Sequence, residues 1–248
     1  MPRRLLALES ATDWLSIALA EDDDVVLLRE AERTRQHSAE LLPLLQAALA
    51  EVGWAISQLD ALAVSAGPGS FTSLRIGLAS AKGLAFGRDW QGVGVSTLEA
   101  MALGALEAAE EGEEVVALLD ARRGEWYAGG WRREGEFLAP SLAEGLYDPK
   151  SLAADLAGPV VLCCPDREGW ETGFVEAGIA VAGRVEGPAA RPRADRVARL
   201  GNAALDRGEG HAVETLAARY LRRAEAEAQR LGGPVEQGEL ARVVPAEG

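Results

Sequence analysis

Lysine is almost missing from this chain. Lys82 and Lys150 are the only two among 248 residues, so arginine supplies nearly all of the 25 basic side chains. Those 25 face 39 Asp and Glu, which leaves a formal charge of −14. A surface so short of positive charge excludes the simplest nucleic-acid or anionic-membrane binder, because polyanions are held by positive potential. Cysteine is equally scarce. Cys163 and Cys164 are adjacent inside an apolar run, so they offer neither a disulfide framework nor spaced metal ligands, and a reducing cytoplasmic setting is expected. Histidine is limited to His37 and His211, with no ligand-like spacing between them. Long apolar runs are lacking too. Met1 to Glu9 meets an acid after a short apolar stretch and does not read as a signal peptide. The small-apolar segment near 74–86 holds Arg75 and Lys82 and is too short to span a bilayer, so no membrane is expected.

What is present reads as globular. Hydrophobic residues make up 48% and charged residues 26%, near the averages for folded domains, which rules out wholesale disorder. The length allows one large domain or two smaller ones. Short apolar runs at 4–8, 14–20 and 25–30, separated by polar turns, predict a three-strand meander. Leu41, Leu44, Leu45, Ala48, Leu49 and Val52 recur at three- and four-residue steps and predict an amphipathic helix, with Pro43 near its first turn, where a missing N–H costs least. A strand at 59–65, a helix at 72–86, a strand at 92–95 and a helix at 97–110 follow.

After the acidic stretch at 111–114 the pattern begins again. An apolar strand, Val115 to Asp120, ends in an acid as the first strand ends in Glu9. A strand at 125–131, a shorter one near 136–138, a helix near 149–156, a strand at 159–164, a helix near 168–177, a strand at 179–182 and a helix at 193–206 complete it. The repeat is one of element order rather than of residues. Two tandem βββαβα units predict an α/β protein of two similar domains with mixed sheets, the plan of the actin, sugar kinase and Hsp70 (ASKHA) superfamily. The expected division is 1–112, 113–231 and a tail at 232–248.

The most informative segment is Ala66-Gly-Pro-Gly-Ser-Phe-Thr-Ser-Leu-Arg-Ile-Gly77, which joins a strand to a helix. Its glycines fit a phosphate-binding turn at a helix N-terminus or a tight strand-to-helix connection, and the lack of both a Walker lysine and a G-x-G-x-x-G pattern favours the connection. The helix that follows has small residues on several sides, among them Gly77, Ala79, Ala81 and Gly83, with Leu74, Leu78 and Leu84 between them. Such a helix must be covered nearly all round, by its own core or by a partner.

Gly67-Pro-Gly-Ser-Phe-Thr-Ser-Leu-Arg-Ile-Gly-Leu-Ala79, with His37-Ser-Ala-Glu-Leu-Leu-Pro43, Ala81-Lys-Gly-Leu-Ala85, Gly94-Val-Ser-Thr-Leu-Glu-Ala100, Asp120-Ala-Arg-Arg-Gly-Glu-Trp-Tyr127 and Tyr220-Leu-Arg-Arg-Ala-Glu-Ala226, resembles the TsaB (YeaZ) family over about residues 3–227. Two departures are Ser73, where the family usually has glycine, and Glu9, where related strands usually end in aspartate. The resemblance implies a cytoplasmic accessory protein for N6-threonylcarbamoyladenosine synthesis on tRNAs reading A-starting codons. It implies binding to the transferase TsaD, with TsaE as the associated ATPase and TsaC making the activated threonylcarbamoyl group, homodimerisation when alone, and tRNA contact only through the complex. The family's partner surface is carried by the first two helices, which here assigns His37, Leu41, Leu44, Leu45, Leu74, Leu78, Ala81 and Lys82 to it.

No catalysis is expected. TsaD holds its metal with two histidines four apart, and by register Thr97 and Met101 stand there, which cannot replace two imidazoles. Metallopeptidase activity is not expected either. Glu9, Ser10 and Asp120 occupy the superfamily's nucleotide-loop positions and are weak candidates for cofactor binding. Arg122 and Arg123 beside them read as an anion-holding pair or as surface ion pairs. The chain is expected to have no cofactor of its own, with ATP or ADP at the interface of the complex. The rival reading is a nucleotide-dependent phosphotransferase or hydrolase using Glu9 and Asp120.

Overall fold

The computed structural model describes residues 2–31, 36–106, 109–135, 137–165 and 169–221; the expected tail at 232–248 and the motif residues after Leu221 lie outside the described residues. The first half runs β1 (Arg4–Glu9), β2 (Ser16–Glu21), β3 (Asp24–Glu30), α1 (His37–Val52), β4 (Ala61–Gly67), α2 (Phe71–Ala85), β5 (Gln91–Ser96) and α3 (Thr97–Gly104). The second runs β6 (Glu114–Asp120), β7 (Trp126–Glu134), β8 (Phe137–Tyr147), α4 (Pro149–Asp155), β9 (Val160–Cys163), α5 (Thr172–Glu176), β10 (Val181–Val185) and α6 (Ala194–Asp206), and a two-residue strand β11 (His211–Ala212) follows.

The two sheets repeat one topology. Their strand orders are β11-β5-β4-β1-β2-β3 and β10-β9-β6-β7-β8. In each, the leading strand pairs antiparallel with its hairpin partner on one side and parallel with the strand after the first helix on the other. β1 and β4 are covered on both faces, and their continuous apolar runs reflect that. This is an α/β protein of two ASKHA-like units with mixed sheets.

Three local differences from the sequence expectation have physical reasons. Pro43 lies in the second turn of α1, because the helix begins at His37; its ring is on the solvent side. α3 stops at Gly104 rather than reaching 110, at a residue that stabilises a helix poorly. β8 is eleven residues long rather than a short strand at 136–138. Pro140 and Gly145 disguise it, but β8 is an edge strand, where a missing N–H is tolerated, and its register against β7 shifts around Gly130.

The larger difference concerns which sheet each helix covers. α1 and α2 pack on the outer face of the first sheet through Leu45, Leu49, Leu78 and Ala81, and α4 and α5 on the outer face of the second through Leu152 and Phe174. Between the sheets lie α3 and α6, and they are exchanged. Leu98, Met101, Ala102 and Ala105 join Val115, Ala117, Trp131 and Val161 of the second half. Ala194, Val197, Ala198 and Leu205 of α6 join Leu5, Ala7, Ala63 and Val93 of the first. The sequence expectation placed 194–221 with the second domain; that segment instead packs on the first sheet. β11 pairs with β5, Val213 and Leu216 enter the core beneath α2, and the Arg219 N–H donates to the Ala66 carbonyl at 2.7 Å. Among the described residues no helix is long and apolar enough to cross a membrane.

Because each half supplies a helix to the other's core, the halves are expected to unfold together. Leu98→Ala should cost about 2–5 kcal/mol, the range for a truncated buried leucine. Hydrogen exchange should then show the amides of β1 and β6 losing protection to the same extent, and loss confined to one sheet would contradict the exchanged layer.

Candidate functional site

The loops at the ends of the leading strands differ sharply between the halves. Glu9 is fully buried. Its carboxylate accepts from the Ala11 N–H at 2.7 Å and from the Ser65 hydroxyl, so it ties its own loop to the adjacent strand β4. Burial pushes its pKa up to about 7, against the smaller opposing effect of those two hydrogen bonds. Ser10 is also buried, its hydroxyl donating to the Ser73 carbonyl at 3.2 Å. Asp120 is exposed and accepts from the Arg122 N–H at 2.8 Å, with the Arg122 guanidinium 3.8 Å away. The three weak cofactor candidates therefore do not line one open pocket: two are sealed in the first half and the third caps a surface hairpin. Among the described residues no cluster of three or more His, Cys, Asp or Glu is placed to hold a metal ion. Thr97 and Met101, at the register of the transferase histidines, are fully buried in the core that α3 shares with the second sheet. Cys163 is buried as well; burial pushes its thiol up to about 12.

The glycine-bordered turn serves close packing. A Cβ on Gly69 would stand 2.3 Å from the Ala11 carbonyl oxygen, and the Ser70 N–H donates to that oxygen at 2.7 Å. Ser70 then caps α2 by accepting from the Ser73 N–H. The same tightness continues along the inner face of α2, where a Cβ on Gly77 would meet the Ser10 hydroxyl at 2.2 Å.

At the seam between the halves, Ser96 caps α3 by accepting from the Glu99 N–H at 3.2 Å. Glu144 of β8 lies 3.6 Å from Arg219. Burial raises the pKa of Glu144, and burial followed by the charge of Glu144 raises that of Glu99.

The residues expected to meet a partner divide by burial. Leu41, Leu45, Leu74, Leu78 and Ala81 are buried in the chain's own core, Leu74 at 1% and Leu78 at 6% exposure. His37 opens α1 with its ring turned inward, Nε2 lying 3.3 Å from the Trp14 carbonyl oxygen. Leu44 is half-buried against the same core, and Lys82 is exposed. The stripe that periodicity detects is the inward stripe, so the outward residues escaped. Those are Leu42, 48% exposed on α1, and Phe71 and Phe86 at the two ends of α2, Phe86 at 86%. For Leu42 and Phe86 the signal in the sequence is an apolar residue out of phase with the stripe, whereas Phe71 is in phase with Leu74 and Leu78 and is exposed where it opens the helix. Leu42, Trp54, Ile56 and Leu84 line an apolar groove of about 420 Å³ between the two helices.

A double-sheet α/β protein with sealed loops in its first half and an outward apolar helix pair belongs to the actin, sugar kinase and Hsp70 fold class. The family model described as TsaD, tRNA N6-adenosine threonylcarbamoyltransferase, matches residues 30–161. The tRNA threonylcarbamoyladenosine biosynthesis protein TsaB of Haemophilus influenzae is 44% identical over 50% of this chain, which spans about half of that protein's length, 51%. The Bacillus subtilis TsaB is 30% identical over 91% of this chain and 96% of its own length. The solved structure of YeaZ from Pseudomonas aeruginosa superposes with a TM-score of 0.74 at 30% identity, covering 88% of this chain and 100% of its own. The chain belongs to the TsaB (YeaZ) family.

Glu9 sets a pH dependence with a definite sign. Its folded pKa, about 7, lies above the unfolded 4.5, so the fold holds the proton more tightly. Below pH 4.5 both states are protonated and burial carries no ionisation cost. As pH rises to about 7, stability falls, by about 3 kcal/mol in all, and is flat beyond. Urea titrations of wild type and Glu9→Gln should therefore diverge in the variant's favour across that window and run parallel above it.

Proposed function

We propose that this chain is a non-catalytic, cytoplasmic subunit required for N6-threonylcarbamoyladenosine modification of tRNAs reading A-starting codons. It binds and supports TsaD, with TsaE in the same assembly, and pairs with a second copy only when TsaD is absent. The observation that carries this reading is the relation to the Bacillus subtilis TsaB along nearly the whole of both chains. The docking face is the outward side of α1 and α2. ATP or ADP belongs to the interface of the complex, and tRNA is contacted by the partners, in keeping with a formal charge of −14. Reconstituting the modification from purified components with and without this chain is the test: full activity in its absence would refute the reading.

The rival phosphotransferase or hydrolase needs Glu9 open to a magnesium nucleotide, and its complete burial weighs against that. Calorimetric titration with Mg-ATP decides the point, since tight binding lost in Glu9→Ala would restore the rival.

The interface is tested by substitutions chosen from burial. Phe86→Asp should leave the melting temperature near that of wild type and weaken the TsaD complex at least about tenfold, the loss of an exposed aromatic anchor. Leu78→Arg, by contrast, puts a charge into the core and should prevent folding. Size-exclusion chromatography with TsaD and circular dichroism separate the two.

A further inference from the structure

Two carboxyl groups meet at the seam between the sheets. Glu99 stands in the first turn of α3, and Glu144 approaches it from β8, the outermost strand of the second sheet. A bulge in β8 aims Glu144 there: Ala128 pairs with Gly145 and Gly130 with Leu142, so Gly129 alone faces both Ala143 and Glu144. A Cβ on Gly129 would stand 2.9 Å from the Glu144 Cγ and 2.8 Å from the Trp131 ring, so β7 offers the carboxyl stem a close apolar floor. Glu144 is 12% exposed, and its Oε2 is shut off from solvent and accepts no hydrogen bond from a described residue.

The first half supplies the polar surroundings, and they do not balance two negative charges. The Arg219 guanidinium, 41% exposed, lies 3.6 Å from the Glu144 Oε2, and the Ser96 hydroxyl eases the ionisation of Glu144 in smaller part. Arg207 and Glu209, just after α6, also face Glu99, but two hydrogen bonds of 2.7 and 2.9 Å join them to each other and their charges cancel. Tyr127, on the same face of β7 as Gly129, stays neutral where carboxyl groups titrate. Among the described residues the balance is therefore two carboxyl groups against one half-exposed cation. Neighbouring carboxyls in that position keep a proton between them, because each charge disfavours the other.

The groups involved belong to the outermost pieces of the two sheets. Among the described strands β8 pairs with β7 alone, and the segment after α6 ends where the Arg219 N–H meets the Ala66 carbonyl at the end of β4. We propose that Glu144, Glu99 and Arg219 form a proton-operated clasp between the sheets: with one proton on the two carboxyl groups, the bulged part of β8 and the segment around Arg219 are held together over the start of α3, and loss of that proton to water frees both. The sign follows from burial. Burial, and for Glu99 the charge of Glu144 after it, makes both groups hold their protons more tightly in the closed seam than in an open one. Closure is therefore complete below the ordinary carboxyl value of 4.5 and weakens as pH rises above it.

Amide hydrogen exchange of the full chain, corrected for the intrinsic effect of pH on the chemical step, reads both sides of the clasp at once. Between about pH 4.5 and about pH 8, protection of the Arg219 amide and of the β8 amides at 143–146 should fall together by at least about tenfold. Glu99→Gln removes one of the two charges at nearly constant shape, so the remaining carboxylate is matched by Arg219 and the fall should disappear at both places. Glu144→Gln should also abolish it. Glu9 is kept in every variant, so its effect on global stability is common to all and cancels in the comparison. Circular dichroism at about pH 5 establishes that each variant is folded, and either one suffices for the comparison. Protection in the wild type that does not change with pH would overturn the proposal. So would a fall that survives in a folded Glu99→Gln or Glu144→Gln chain, or one that affects Arg219 and β8 at separate pH values.

Discussion

The exchange of α3 and α6 between the sheets is the constraint on which the rest depends. Each sheet needs both faces covered, and each half supplies only two outer helices for its own sheet. The inner faces are closed by one helix from each half, crossed over: Leu98 and Met101 of α3 enter the second core, and Val197 and Leu205 of α6 enter the first. Neither half is complete without the other. The strand-end loops and the outer helix pair are held by this shared layer, which fixes β1, β4 and β5 from behind while α1 and α2 hold β1, β2 and β4 from the front.

The order of elements was legible because each apolar run has the length and period of one element, and the leading acids Glu9 and Asp120 mark the repeat. Helix assignment was not. Periodicity gives the apolar phase of α6 but not the sheet that this phase covers, so 194–221 reads as part of the second half until its contacts are seen. The expected interface residues were read from the same periodicity. Leu74 and Leu78 carry the strongest periodic signal on α2 because they face the sheet, whereas Phe86 lies off that phase and is exposed. The surplus apolarity of α2 also has an internal use that no local pattern reveals, since Val213 and Leu216, more than a hundred residues later, pack beneath it.

The two leading acids illustrate how one position in a repeated fold comes to different ends. Asp120 keeps the exposed position at a strand end and turns a hairpin. Glu9, with one more methylene, folds back to its own loop and is sealed by Ala11 and Ser65. A carboxyl so enclosed has its pKa pushed up to about 7 and contributes to the pH response of the fold.

The segment that closes the first half follows the whole second sheet in the chain. β11, Val213, Leu216 and Arg219 fill the edge and underside of the first sheet, and Tyr220 steadies the ring of Phe71 at the start of α2. Domains ordinarily fold in the order of their synthesis, the first while the second is still being made. Here the first half must wait for translation to pass residue 220. A chain still short of that segment therefore lacks the Tyr220 ring that stacks on Phe71 at the start of α2.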